Sequence, residues 1–187
     1  PKLDDDFVKD ISDYSTVDEL KNNIRENMTK SRAANSENEV VDHLIEAVVN
    51  NMKADIPEVM FEKQLENIVN EYDGRLKQQG MDLKTYLGYT GQDMESFKKM
   101  FKPQAEAQVK SRLALEAVAN AEKIIVSQEE VDEEFKKFAE NYKMDIDKIK
   151  LYIPESEVIK DLAVNKALEF IKTNAEITEV TKENASK

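Results

Sequence analysis

Only a few residue types in this 187-residue chain are equipped for chemistry. There is one histidine, His43, and no cysteine. A thiolate nucleophile, a disulfide frame and a cysteine zinc site are therefore excluded, as are paired-histidine metal motifs. His43 sits between Asp42 and Leu44 with no serine elbow nearby, so it reads as an ordinary helix-surface histidine rather than a general base. Carboxylates are abundant. Asp4-Asp5-Asp6 has no turn glycine at the position an oxygen cage for a cation needs, and it reads as a solvated acidic tail. Glu129-Glu130 with Asp132-Glu133-Glu134 falls in the first turn of an expected helix, where acids complement the macrodipole. The glycine pairs Gly74/Gly80 and Gly88/Gly91 match neither a P-loop nor a dinucleotide fingerprint and read as hinge and turn. No catalytic residue, cofactor site or metal site is expected.

The charge balance narrows the partners. Against 27 basic residues stand 39 acidic ones, a net charge of -12. Nucleic acid and anionic membranes require positive charge, so neither is an expected partner. No apolar run approaches the roughly 18 residues of a membrane span. The acidic start Pro1-Lys2-Leu3-Asp4 is not a signal peptide, and without an initiator Met the chain is expected to be a fragment or a processed form. The default compartment is cytoplasmic. With 40% hydrophobic and 35% charged residues, a thin core in an elongated molecule is expected.

The elements that would position any site are helices. Thr16-Val17-Asp18-Glu19 is a capping box, and apolar residues recur every three to four positions from Val17 to Met28 and again from Val40 to Met52. Thr29 to Glu39 lacks a large apolar residue, which predicts one long helix with an exposed middle or two collinear helices. Pro57 opens a helix with the stripe Phe61, Leu65, Ile68, Tyr72 and Leu76. A short helix over 82–89 lies between glycines. The next, over 93–122, contains Pro103 and should be kinked or divided there. Ser127-Gln128-Glu129-Glu130 caps a helix carrying Val131, Phe135, Phe138 and Tyr142, and Pro154 opens a last one. Strand signals are limited to 124–126 and 177–180, and residues 181–187 should fray. The fold class is all-α.

One feature points to binding. The chain has 7 Met, 7 Phe and 6 Tyr, and half of these twenty fall between residues 60 and 101. Phe61, Tyr72, Phe97 and Phe101 sit on stripes and read as core. Met81, Tyr86, Tyr89, Met94 and Met100 surround the glycines. They form either an exposed adaptable patch or a local core. With Met60, Tyr142 and Met144 they make up the candidate contact residues.

Several stretches resemble bacterial trigger factor. Asp4-Asp5-Asp6-Phe7-Val8-Lys9-Asp10, Thr16-Val17-Asp18-Glu19-Leu20-Lys21 and Ile24-Arg25-Glu26-Asn27 resemble the segment after that family's prolyl-isomerase domain. Ile56-Pro57-Glu58-Val59-Met60, Gly80-Met81-Asp82-Leu83-Lys84-Thr85-Tyr86-Leu87 and Phe101-Lys102-Pro103-Gln104-Ala105-Glu106 follow in the family's order. So do Ile125-Val126-Ser127-Gln128-Glu129-Glu130-Val131 and Lys166-Ala167-Leu168-Glu169-Phe170-Ile171. The resemblance implies the C-terminal domain of a ribosome-associated chaperone: an elongated helical body (1–56) with two helical arms (57–122 and 123–174) forming a cradle, then a tail (175–187). It implies unfolded or nascent polypeptides as partners, bound without ATP, with Met60, Met81, Tyr86, Tyr89, Met94, Met100, Tyr142 and Met144 as client contacts. Ribosome docking would run only through an N-terminal domain whose G-F-R-x-G signature is missing here. The isomerase domain is missing too, so the chain is not expected to be an enzyme. A homodimer is a further candidate assembly. The alternatives are a helical adaptor with one dedicated partner and the core of a parvulin-linked extracytoplasmic chaperone.

Overall fold

The computed structural model describes residues 2–178, and about 80% of these are helical with no strand among them. In chain order the helices are α1 (Asp5–Ile11), α2 (Val17–Asn51), α3 (Glu58–Gln78), α4 (Leu83–Thr90), α5 (Met94–Ala121), α6 (Gln128–Tyr142), α7 (Ile146–Tyr152) and α8 (Glu155–Asn174). The chain is therefore all-α. Residues 124–126 form a connection rather than a strand, and 179–180 and 181–187 lie outside the described residues. Two compact units divide the chain: one combines the residues up to Leu44, within α2, with the segment that starts at Ile177, and the other runs from Ile45 to Glu176.

In the first unit, the acidic start is solvent-exposed as its composition predicts, but it is the start of a helix rather than a tail. Asp4 caps α1, its Oδ1 accepting from the Phe7 N–H at 3.0 Å, and Asp5 Oδ1 accepts from the Val17 N–H at 2.8 Å. Two of the three carboxylates thus satisfy helix-start donors that would otherwise lack a partner, and Val8 on α1 is fully buried. The capping box at Thr16 forms: Glu19 N–H donates to Thr16 Oγ1 at 3.2 Å, and Glu19 Oε2 accepts from Ser15 and Thr16 N–H. Of the two arrangements open for α2, the continuous 35-residue helix is the one found, with residues 24–39 exposed.

In the second unit, α3 packs on α4 and α5, α5 also packs on α8, and α6 packs on α7 and α8. Two apolar clusters hold these helices. One joins Val69, Leu83, Leu87 and Phe97, with Tyr72, Leu76, Tyr86 and Phe101 against them. The other joins Val131, Phe135, Ile149 and Val158, flanked by Phe138, Ile146, Ile153 and Leu162. Pro103 does not divide α5, which runs unbroken from Met94 to Ala121. Buried Phe97 and Ala105 lie on either side of the proline, so packing holds both flanking turns in the helix. The α6 capping box forms as its sequence predicts.

Candidate functional site

The glycine-bounded segment is built twice from the same local device. Gly80 adopts φ 80° and Gly91 φ 68°, each just past a helix end, where a side chain would be strained. At the first, Gly80 N–H donates to Lys77 O and Met81 N–H to Leu76 O, the double bond pattern of a Schellman end. Two residues after each glycine an aspartate restarts a helix. Asp82 Oδ1 accepts from Thr85 N–H at 2.7 Å, and Asp93 Oδ1 from Ser96 N–H at 2.7 Å. Asp73 on α3 ties the segment down by accepting from Leu83 N–H at 2.9 Å and pairing with Lys77 at 2.6 Å. These bonds favour the ionised form. Lys77 and then Leu83 hold the Asp73 carboxyl below the usual range, Thr85 does the same for Asp82, and Ser96 for Asp93.

The candidate contact residues fall into three places. Around α4 and the start of α5, Tyr89 is 80% and Met100 57% exposed, and Met94 is also exposed. Met81 and Tyr86 are half-buried, and the Tyr86 ring lies 5.7 Å from Tyr72 against the first cluster. Met60 is exposed on the first turn of α3. Tyr142 and Met144, both exposed, flank Lys143 at the end of α6. Large exposed side chains that the spacing did not single out include Val59, Ile125, Leu151 and Tyr152, the last two more than three-quarters exposed at the end of α7. That helix was not expected from the sequence, because Asp145 starts it directly after a left-handed Lys143 rather than after a glycine.

In the second unit a groove of about 890 Å³ lies between α3, α5 and α8. Among the candidates only Met60 lines it. Its other walls include Gln64 and Asn67 from α3, Gln104, Gln108, Arg112 and Leu113 from α5, and Asp161 and Val164 from α8. Gln64 Nε2 donates to Gln108 Oε1 at 2.8 Å, and Asn67 Nδ2 to Gln64 Oε1 at 3.3 Å. Arg112 donates to Asp161 at 2.7 Å and to Glu116 at 2.9 Å. Burial opposes the guanidinium charge, but these two carboxylates outweigh it and raise the Arg112 pKa. No local signal could have revealed the groove, since its walls come from residues separated by 44 and 49 positions in the chain.

Other carboxylates are engaged structurally. Glu130 completes the α6 capping box and accepts from Lys166 Nζ at 2.8 and 3.0 Å, while the same amine reaches the Ile125 carbonyl at 2.8 Å. Lys166 and then Ser127 hold the Glu130 carboxyl below the usual range. His43 is exposed on α2. Among the described residues no three His, Cys, Asp or Glu side chains converge as a metal site. No helix there is long and apolar enough to cross a membrane.

The class defined by these features is an all-helical protein with open grooves and exposed methionine and tyrosine side chains. The family described as bacterial trigger factor protein (TF) C-terminus matches residues 16–173. Trigger factor of Bacillus cytotoxicus is 39% identical over 177 residues, covering 94% of this chain and 42% of its own length. That of Acetivibrio thermocellus is 37% identical over 180 residues, covering 95% and 42%. That of Staphylococcus epidermidis is 34% identical over 186 residues, covering 98% and 43%. A solved structure of trigger factor domains from Thermotoga maritima has a similar fold, with a TM-score of 0.50 and 21% identity over 73% of this chain and 81% of that one. The chain belongs to the bacterial trigger factor C-terminal family and spans less than half the length of these curated relatives.

Proposed function

We propose that the chain is an ATP-independent chaperone module that holds exposed apolar segments of unfolded or nascent polypeptides, prevents their aggregation and assists their folding. Family membership supports this reading, and one observation carries it: large adaptable side chains, with Tyr89, Met100 and Tyr142 foremost, stand exposed on helices whose cores are already filled. Methionine and tyrosine offer polarizable contact area without demanding one partner shape. Several weak contacts then sum along a bound segment. In this reading residues 57–122 and 123–174 are the two arms of a cradle and 1–56 belong to its body. Met60, Met81, Tyr86, Tyr89, Met94, Met100, Tyr142 and Met144 are the proposed client contacts, and the net charge of -12 keeps a loaded complex soluble.

The chain itself is proposed to catalyse nothing, and ribosome docking and prolyl isomerisation are assigned to parts of the longer relatives outside it. The test is an aggregation assay with two unrelated denatured proteins and no nucleotide. Suppression of both is expected. Suppression of neither would overturn the reading in favour of an adaptor with one dedicated partner.

A further inference from the structure

We propose that the groove between α3, α5 and α8 holds an extended client segment by its main chain, through the side-chain amides of Gln64, Asn67, Gln104 and Gln108. This rests on the client-binding reading and names the chemical feature of the client that the groove takes.

The groove differs in kind from the methionine-rich segment around α4. Four of its lining residues are neutral amides, two from α3 and two from α5. Each carboxamide carries two donors and an acceptor, which match the N–H and C=O of a peptide unit. The bonds Asn67 to Gln64 and Gln64 to Gln108 fix the orientation of three of these groups. They engage neither N–H of the Gln108 amide as donor nor the Asn67 carbonyl as acceptor, so both polarities remain on offer. Charged side chains line the groove as well: Arg112 is paired with Asp161 and Glu116, and Glu157 with Lys160, so of these Lys63 is the cation that stands beside the amides.

Spacing agrees. Gln104 and Gln108 stand four residues apart on α5, a rise of about 6 Å. An extended chain repeats every two residues at about 6.4–6.8 Å. Successive amides can therefore meet alternate peptide units on one edge of an extended segment. Met60, Leu113 and Val164 line the same groove and give the occupant's side chains apolar contact. Its volume of about 890 Å³ lies within the usual range for ligand sites, about 300–1,000 Å³. An unpaired main chain is the one feature common to every unfolded polypeptide. A groove that reads it would capture segments poor in large apolar residues, which the exposed methionines and tyrosines hold weakly.

The experiment uses a ten-residue probe of Ala, Ser and Thr, and a counterpart in which alternate backbone N–H groups are replaced by ester oxygens. Binding to the 187-residue chain is followed through the side-chain amide resonances of Gln64, Asn67, Gln104 and Gln108. The amide probe is expected to shift these resonances and to bind about tenfold more tightly than the ester probe, given the modest worth of each hydrogen bond lost. The triple variant Gln64→Met, Gln104→Met, Gln108→Met should bind both probes alike. It should keep its helical dichroism, since Gln and Met are comparable helix formers. Equal binding of both probes by the unmodified chain would overturn the proposal while leaving the chaperone reading intact. So would failure to bind the amide probe while aggregation of denatured proteins is still suppressed. If the chain neither binds the probe nor suppresses aggregation, both readings fall.

Discussion

Lys143 occupies a left-handed backbone position, φ 51°, that the sequence pattern reserves for glycine. Met144 N–H donates to Ala139 O across it, so α6 ends as a glycine-terminated helix would. A non-glycine residue there costs roughly 1–2 kcal/mol, and glycine recovers this less about 0.5–1 kcal/mol of unfolded-chain entropy. Lys143→Gly should therefore leave stability unchanged or raise it by up to about 1.5 kcal/mol, whereas Lys143→Val should lower it. Thermal melts of the two variants decide the point. Among the proposed contacts, exposure separates side chains that can be removed freely from those that cannot. Replacing Tyr89, Met94 and Met100 together by Ser should shift stability by no more than about 0.5 kcal/mol per site and weaken retention of denatured protein. Leu87→Ala, at a buried position on the same α4, should instead cost about 2–5 kcal/mol. Melting and aggregation measured on the same two proteins would expose an error: loss of stability in the triple variant would place those side chains in the core.

At the scale of elements, α4 is held by aspartates more than by its own length. Eight residues are too few for an autonomous helix. Leu83 and Leu87 reach the first cluster, while Asp82 and Asp73 accept from the N–H groups at its start. Both carboxyls, and that of Asp93, lie below their ordinary values in the folded chain. A depressed carboxyl pKa contributes stability above the unfolded value and loses it as pH falls through the folded one. Protection of the Leu83 and Thr85 amides should therefore be constant from neutral pH to about pH 4, near the ordinary aspartate value, and decline below that. Asp82→Asn keeps the cap acceptor and removes its titration, so the acid decline at Thr85 should shrink. Hydrogen exchange read by NMR checks this, and an unchanged decline in the variant would reject the role given to Asp82.

For the whole molecule, the unit Ile45–Glu176 contains both apolar clusters, the groove and all eight proposed contact residues. A chain restricted to residues 45–176 should consequently fold with a cooperative helical melt and retain the suppression of aggregation. Dichroism and the aggregation assay test the two halves of that statement separately. A gradual, non-cooperative melt would mean that the clusters depend on the preceding unit.

Much of the helical architecture was legible because its signals are local. The capping boxes at Thr16 and Ser127, the proline before α3 and the glycine–aspartate links around α4 all act within a few residues of themselves, so spacing alone located the helix starts. α1 and α7 escaped notice for the same reason in reverse. Each has seven residues, too short to show a period, and α7 follows a lysine in a conformation that ordinarily marks glycine. The methionine and tyrosine cluster was visible as composition, but which members face water was settled by packing: Tyr86 leans on Tyr72 while Tyr89, three residues on, does not reach the cluster. Pro103 remains inside one helix because tertiary contacts on both sides outweigh a local preference to break. The groove belongs wholly to the tertiary structure, since Gln64 meets Gln108 and Arg112 meets Asp161 only when α3, α5 and α8 pack together, and no periodicity along the chain encodes a pairing at such separations.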